Sequence, residues 1–276
     1  MRVQASQRVR PCAVCGTFYP GGERELRRGI EAMFGPSKPA PRRVVGLIAP
    51  HAGYAYSGPT AARGYALLRG AHYEAVVVVS PSHREYFDGV CVFGGAAYET
   101  PLGRMPVHEA LREELLRAMP SAHMGDEGHR AEHAVEVQLP FLQAALGDVP
   151  FLPVVVGDQS PEVCRELGDA LALLAANHDL LLVASTDLSH FYPSATARTL
   201  DDVMIADVRA ADHEKLMAHL EDRTTEACGG GPAVAVIRAL AKGGVRGMEI
   251  LEHRTSGDVT GDHASVVGYL SAAAYA

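Results

Sequence analysis

The sequence contains no tryptophan, and aromatic residues make up only 6% of its 276 positions. It has no block of like charges: 25 Lys and Arg stand against 33 Asp and Glu, a net charge of −8 dispersed along the chain. A mildly acidic chain without a basic stretch argues against a nucleic-acid groove and a polybasic membrane patch. No apolar run approaches the ~18 residues of a spanning helix, and the stretch MRVQASQRVRPC has no signal-peptide core. No membrane or nucleic-acid partner is therefore expected. Also missing are a P-loop, a G-x-G-x-x-G after a strand and a G-x-S-x-G elbow, which disfavours NTPases, dinucleotide enzymes and α/β-hydrolases.

Cysteine is sparse. The five residues Cys12, Cys15, Cys91, Cys164 and Cys228 are odd in number and scattered. With no export signal, they read as reduced thiols of a cytoplasmic protein. Only Cys12 and Cys15 have C-x-x-C spacing. No second C-x-x-C or C-x-x-H completes a zinc site, and no strand precedes the pair, so they are expected to be incidental thiols.

Hydrophobic residues form 47% of the chain and charged residues 21%, ordinary for a globular protein. The length suffices for one large α/β domain or two small ones without disulfide staples. No repeat, low-complexity segment or linker divides it, so residues 1–276 are expected to form a single domain. The runs Val44–Ala49, Ala75–Ser80, Phe151–Val156 and Leu180–Ser185 are β-rich with little polar alternation, as in strands buried on both faces. Val90–Phe93, Met248–Thr255 and Ser265–Ala273 read as further strands. Helical patterns cover Glu23–Phe34, Pro59–Leu68, Val107–Met119, Glu132–Leu146, Pro161–Ala176, Thr199–Ala211 and Pro232–Lys242. Pro59, Pro161 and Pro232 fall at or near the expected helix starts, where a missing N–H costs nothing. This alternation predicts an α/β fold: a mixed, mostly parallel central sheet with helices on both faces.

Histidine is abundant, at 13 residues. Three buried strands run directly into one: Val44–Ala49 into His51, Ala75–Ser80 into His83, and Leu180–Ser185 into Asp187 and His190. In open α/β sheets, ligands bind beyond the carboxyl ends of the strands. Parallel neighbours would bring these side chains to one rim, although a lone strand-end histidine is more often a cap or loop hydrogen-bonder. Cys228, in Ala227-Cys-Gly-Gly-Gly-Pro232, precedes an apolar helix. There the helix dipole favours a thiolate that ligates metal or reacts; a compact hydrophobe at a tight turn is the equal alternative. Two imidazoles with one anionic ligand make an open triad for a divalent metal. His190 then suits a general acid/base oriented by a nearby carboxylate.

Other histidines weigh less. His133 and Glu136, three apart on one expected helix face, read as supporting or structural. His123 and His129 lie in a polar loop and are expected to be solvated. His72, His108, His178, His213, His219 and His253 fall on polar faces or loops, and His263 follows a turn near a strand.

At these residues the sequence resembles the Memo family, whose bacterial and archaeal members are called AmmeMemoRadiSam system protein B. The matching segments are Gly16-Thr-Phe-Tyr-Pro20, Ala49-Pro-His-Ala-Gly-Tyr-Ala-Tyr-Ser-Gly58, Ser80-Pro-Ser-His83 and Glu132-His-Ala-Val-Glu-Val-Gln-Leu-Pro-Phe141. Ser185-Thr-Asp-Leu-Ser-His190, Ala227-Cys-Gly-Gly-Gly-Pro232 and Ser265-Val-Val-Gly-Tyr269 complete them, in the family's order and over nearly the whole chain. The resemblance implies a fold similar to class III extradiol (LigB-type) ring-cleaving dioxygenases. It implies a metal site at His51, His83 and Cys228, where those enzymes use two His and a Glu, with Asp187 and His190 as catalytic residues. The metal expected is Fe(II), with copper or zinc as alternatives, and the reaction an oxidoreductase or dioxygenase-like step on a small molecule. Tyr54, Tyr56 and Phe18 suggest aromatic walls, Tyr54 and Phe18 binding substrate. The alternatives are a non-catalytic metal- or peptide-binding protein, with a peptide or a radical-SAM protein as partner, and a zinc hydrolase with His190 as base.

Overall fold

The computed structural model describes residues 7–36, 40 and 42–276. The chain opens with strand β1 (Val9–Arg10) and helix α1 (Glu23–Phe34), followed by β2 (Val44–Ala49), α2 (Tyr54–Ala66) and β3 (Ala75–Pro81). Short strands come next: β4 (Val90–Phe93), β5 (Ala97–Thr100) and β6 (Gly103–Pro106), then α3 (Glu109–Ala118) and β7 (Ala122–Gly125). A 3-10 turn at Glu136–Gln138 leads into α4 (Leu139–Leu146), β8 (Phe151–Val156), α5 (Pro161–Asn177) and β9 (Leu180–Ser185). The last elements are β10 (His190–Tyr192), α6 (Ser194–Ala210), α7 (His213–Glu221), α8 (Gly230–Lys242), β11 (Glu249–Thr255), α9 (Gly257–Thr260) and β12 (Val266–Tyr275).

Nine strands form one sheet in the order β10-β12-β2-β9-β3-β8-β4-β7, with β11 paired to β12; β1, β5 and β6 form a small second sheet. The centre β2-β9-β3-β8 is parallel, whereas β12 runs antiparallel to β2 and β4 antiparallel to β8. The mixed sheet follows the sequence pattern. Alternate residues of each central strand enter opposite cores. Val77, Val79, Leu182 and Ala184 face the side covered by α3, α5, α6 and α8, whereas Val76, Val78, Leu181 and Val183 face α1, α2 and α4.

Several local expectations shift. The helix expected over Glu132–Leu146 begins only at Leu139, because the Glu132 carboxylate bonds the backbone N–H groups of His133 and Ala134 and holds them out of a helix. Helix α2 begins at Tyr54, so Pro59 lies inside it, and α6 begins at Ser194, five residues ahead of expectation. Helix α7 and strands β1, β5, β6, β7 and β10 had no distinct pattern. They are short, and β6 (Gly-Arg-Met-Pro) is mostly exposed.

Cys12 and Cys15 are not free thiols: they form a disulfide. The reason is Glu136, a completely buried carboxylate. It accepts hydrogen bonds from Ala13 N (2.7 Å), Val14 N (3.0 Å), the Tyr19 hydroxyl (2.6 Å) and the Arg10 guanidinium (2.6 Å). Two adjacent N–H groups aimed at one carboxylate curl the chain and bring the two cysteine Cα atoms to 5.8 Å, within a disulfide's span. Burial pushes the Tyr19 phenol up, so it stays a donor.

His129 is not solvated but buried. Its Nε2 donates to the Cys91 carbonyl (3.1 Å), so Nδ1 accepts from the Tyr98 hydroxyl (2.6 Å), which fixes a neutral tautomer. Burial, with Arg10 nearby, lowers its pKa from 6.5 to about 3.

Two outcomes follow from these groups. Glu136→Ala strands the buried Arg10 charge and is expected to cost about 3–5 kcal/mol in chemical denaturation. Below pH 6.5 the unfolded chain protonates His129 while the folded chain does not until about pH 3. Stability therefore falls as pH falls through that window, by up to ~1.4 kcal/mol per pH unit. His129→Gln is expected to flatten this slope in urea midpoints measured across the window.

Candidate metal centre

Register brings the site together. Ala49 of β2 lies beside Ser185 of β9, and Val79 of β3 beside Ala184. The loops carrying His51, His83 and Asp187 thus leave the sheet at nearly one level. Sγ of Cys228 and one ring nitrogen each of His51 and His83 lie within 4.8 Å of one another.

The surrounding hydrogen bonds set the direction of each donor. The Ser185 hydroxyl donates to the Ala134 carbonyl (2.7 Å), so its oxygen accepts from His51 Nδ1 (2.9 Å) and from Gln138 Nε2 (2.8 Å). His51 therefore carries its proton on Nδ1 and presents the Nε2 lone pair to Cys228 Sγ, 3.1 Å away. Glu132, buried, does the same for His83: its carboxylate accepts from His83 Nδ1 (2.9 Å) and His83 N (2.6 Å), leaving Nε2 free. Burial raises the Glu132 pKa, but the hydrogen bonds from His83 and the backbone outweigh it and bring the carboxyl down to about 2.

Cys228 reaches the rim from the start of α8. Gly229 must pass so close to β9 that an added Cβ would collide with the Ser185 carbonyl oxygen, and its N–H donates to Thr186 Oγ1 (3.0 Å). The thiolate expected from the helix dipole is not favoured here. Burial and the nearby Asp187 carboxylate push the Cys228 thiol up. Asp187 accepts the His51 N–H (2.8 Å), and burial raises it to about 7.

His190 faces the same rim and interacts electrostatically with His51 and His83. Burial lowers its pKa, and a bond to the Leu188 backbone holds the ring. The nearby carboxylate is Glu226, which binds the His190 N–H (2.9 Å) and the Tyr192 hydroxyl (3.1 Å) rather than the imidazole. The expected aromatic walls separate. Phe18 packs 4.8 Å from the His133 ring, whereas Tyr54 is buried, packed on Phe141 with its hydroxyl committed to the Val137 carbonyl (2.7 Å).

His133 belongs to the site more closely than its sequence position suggested. Its ring stacks on His83 (4.8 Å) and meets His51 edge-on (5.3 Å), and His83, Glu132 and His133 form a second group of close donor atoms. His133 Nδ1 lies 3.1 Å from Glu132 Oε1 but makes no hydrogen bond. Burial lowers its pKa to about 4, and burial with the neighbouring rings pushes His51 well below the imidazole range. Glu132, Ser185 and Gln138 were not foreseen as orienting groups; only the placement of Glu132 beside His133 hinted at one of them. Phe191 was missed as well: next to His190, it is 75% exposed with φ of 65°.

The residues fit a metal. Two imidazoles whose Nδ1 atoms are committed to Ser185 and Glu132, a buried His133 nitrogen without a hydrogen bond beside them, and a thiol 3.1 Å from His51 Nε2 make a donor set that a borderline or soft cation completes. Fold and site together define an α/β protein with a His/His/Cys candidate metal centre at the carboxyl ends of its parallel strands. A family profile described as "Memo-like protein" matches residues 10–273, and the chain belongs to that family. A "MEMO1 family protein" of Thermotoga neapolitana is 39% identical, covering 96% of this chain and 99% of the relative. One from Nitrosopumilus maritimus is 35% identical, covering 95% and 98%. The crystal structure of uncharacterized protein JW3007 from Escherichia coli K12 superposes with a TM-score of 0.56 at 19% identity, over 83% of this chain and 99% of that one, a likeness of fold alone.

Removing the Glu132 carboxylate frees the His83 ring, and an orienting partner of this kind is worth about 10–100-fold in metal affinity. Glu132→Ala is expected to lose that much in competition with a chelator. Glu132→Gln, which keeps an acceptor for His83, is expected to lose less.

Proposed function

We propose that the protein is a metal-dependent oxidoreductase acting on a small hydroxylated aromatic molecule, in the manner of an extradiol dioxygenase. His51, His83 and Cys228 hold Fe(II), with copper and zinc as the alternative ions. The observation that carries this reading is the convergence of two imidazole nitrogens and one sulfur within 4.8 Å beside His190 and Asp187. Iron, when bound, supplies Lewis acidity and a one-electron redox couple.

The chain's own groups prepare the substrate. Ser185 and Glu132 fix the two ligand imidazoles, so little reorganisation is needed. His190, kept neutral by burial, takes a proton from a substrate hydroxyl at the ring nitrogen not bonded to Leu188. Phe18 offers an aromatic wall beside His133. Tyr54, its hydroxyl committed, holds the Phe18 backbone through an N–H bond to the Phe18 carbonyl (2.7 Å). His83 is the exposed ligand and marks the open side. Among the described residues no helix is long and apolar enough to cross a membrane. The proposed compartment is the cytoplasm, where a disulfide such as Cys12–Cys15 is a reversible bond rather than a permanent one.

One observation favours a second reading, a non-catalytic metal- or peptide-binding protein: Phe191, exposed and in a left-handed conformation next to His190. Such strain persists where surroundings enforce it and clusters at functional sites; there it would present an aromatic ring to a peptide or to a radical-SAM protein.

Oxygen uptake separates the two. Protein reconstituted anaerobically with Fe(II) and given catechol-type substrates is expected to consume O₂. His190→Ala is expected to lower the rate about 100-fold or more while metal content stays the same. No uptake with any aromatic diol would overturn the catalytic reading.

A further inference from the structure

We propose that Cys91, His123 and Glu127 form a second metal site, for zinc, at the edge of the sheet. It shares no residue with the first centre and does not rest on the proposed function. Strands β4 and β7 are parallel, and their register sets Cys91 directly beside His123. Glu127 returns from the turn after β7 and places Oε2 3.8 Å from Cys91 Sγ and 3.7 Å from His123 Nε2. The three donor atoms lie within 4.8 Å of one another.

These separations are close to a zinc ligand shell. Bond lengths of about 2.3 Å to sulfur and 2.0–2.1 Å to nitrogen or oxygen, at tetrahedral angles, space the ligand atoms about 3.3–3.5 Å apart. The two Glu127 separations close with a few tenths of an ångström, and the Cys91–His123 pair, within 4.8 Å, closes by rotation of the His123 side chain. The groups that would move are free to do so, since the side chains of His123 and Glu127 are 42% and 45% exposed while Cys91 is fixed in the core. The space between them exists because residue 125 is glycine: a Cβ there would collide with Glu127 Oε2 and lie 3.3 Å from Cys91 Sγ. Two contacts bias the donors toward each other without locking them, the Phe87 ring edge-on to His123 (5.7 Å) and the Asp126 N–H on Glu127 Oε2 (3.0 Å).

The donor chemistry selects the ion. A thiolate and an imidazole do not suit magnesium or calcium, which take oxygen ligands. Thiolate, imidazole and carboxylate balance a dication and leave a fourth, solvent-facing position for water. Bound zinc would clip β7, the last strand on its side of the sheet, to β4 and shield an edge open to unwanted pairing.

The test uses a His83→Ala/Cys228→Ser background, which disables both donor groups of the first centre. After chelator treatment, this protein is expected to take up one equivalent of Zn²⁺, raising its melting temperature by roughly 5 °C at saturating metal. With Co²⁺ it is expected to develop a thiolate-to-cobalt charge-transfer band. Adding His123→Ala or Glu127→Gln, both surface changes that spare the core, should weaken zinc binding at least about tenfold. No zinc uptake by the background protein, or uptake that survives His123→Ala and Glu127→Gln together, would overturn the proposal.

Discussion

Everything at the candidate centre depends on the parallel register of β2, β9 and β3. Because Ala49 sits beside Ser185 and Val79 beside Ala184, three loops leave the sheet at one height. A slip of a single residue in β9 would turn Ser185 to the opposite face of the sheet. It would cost His51 its Nδ1 partner and displace Asp187 from the His51 N–H. The buried valines that lock this register make no hydrogen bond to any ligand atom of the candidate centre, yet they decide whether the donors meet.

Two buried carboxylates, four residues apart, divide the remaining work. Glu132 looks toward the rim, where it orients His83 and organises the backbone of His133 and Ala134. Glu136 looks the other way and gathers the segment from Arg10 to Tyr19, whose Phe18 then meets the His133 ring. One short stretch therefore joins the N-terminal segment to the metal ligands. It does so by forgoing the helix its apolar spacing suggests.

The central strands, the α/β class and the strand-end positions of His51, His83, Asp187 and His190 were legible, because continuous apolar runs ending in polar residues have a direct structural meaning. What was not legible depends on partners distant in sequence. His129 sits in a stretch that reads as a solvated loop, but Tyr98 and the Cys91 carbonyl enclose it. Cys12 and Cys15 looked incidental because the loop that pairs them is shaped by Glu136, more than 120 positions away. The dipole argument for a Cys228 thiolate placed the residue correctly, just before α8, but took no account of burial and of Asp187.

The sheet's connectivity also dictates the order in which the protein matures. Strand β2 finds its neighbours only in β9 and β12, and His51 lies 136 residues from Asp187 and 177 from Cys228. Pairings so distant form slowly, since the loops they close are long and no local fragment rewards closing them. An ion bound at the first centre would wait on those pairings and enter from the open side at His83, so that metallation would follow folding as a separate step.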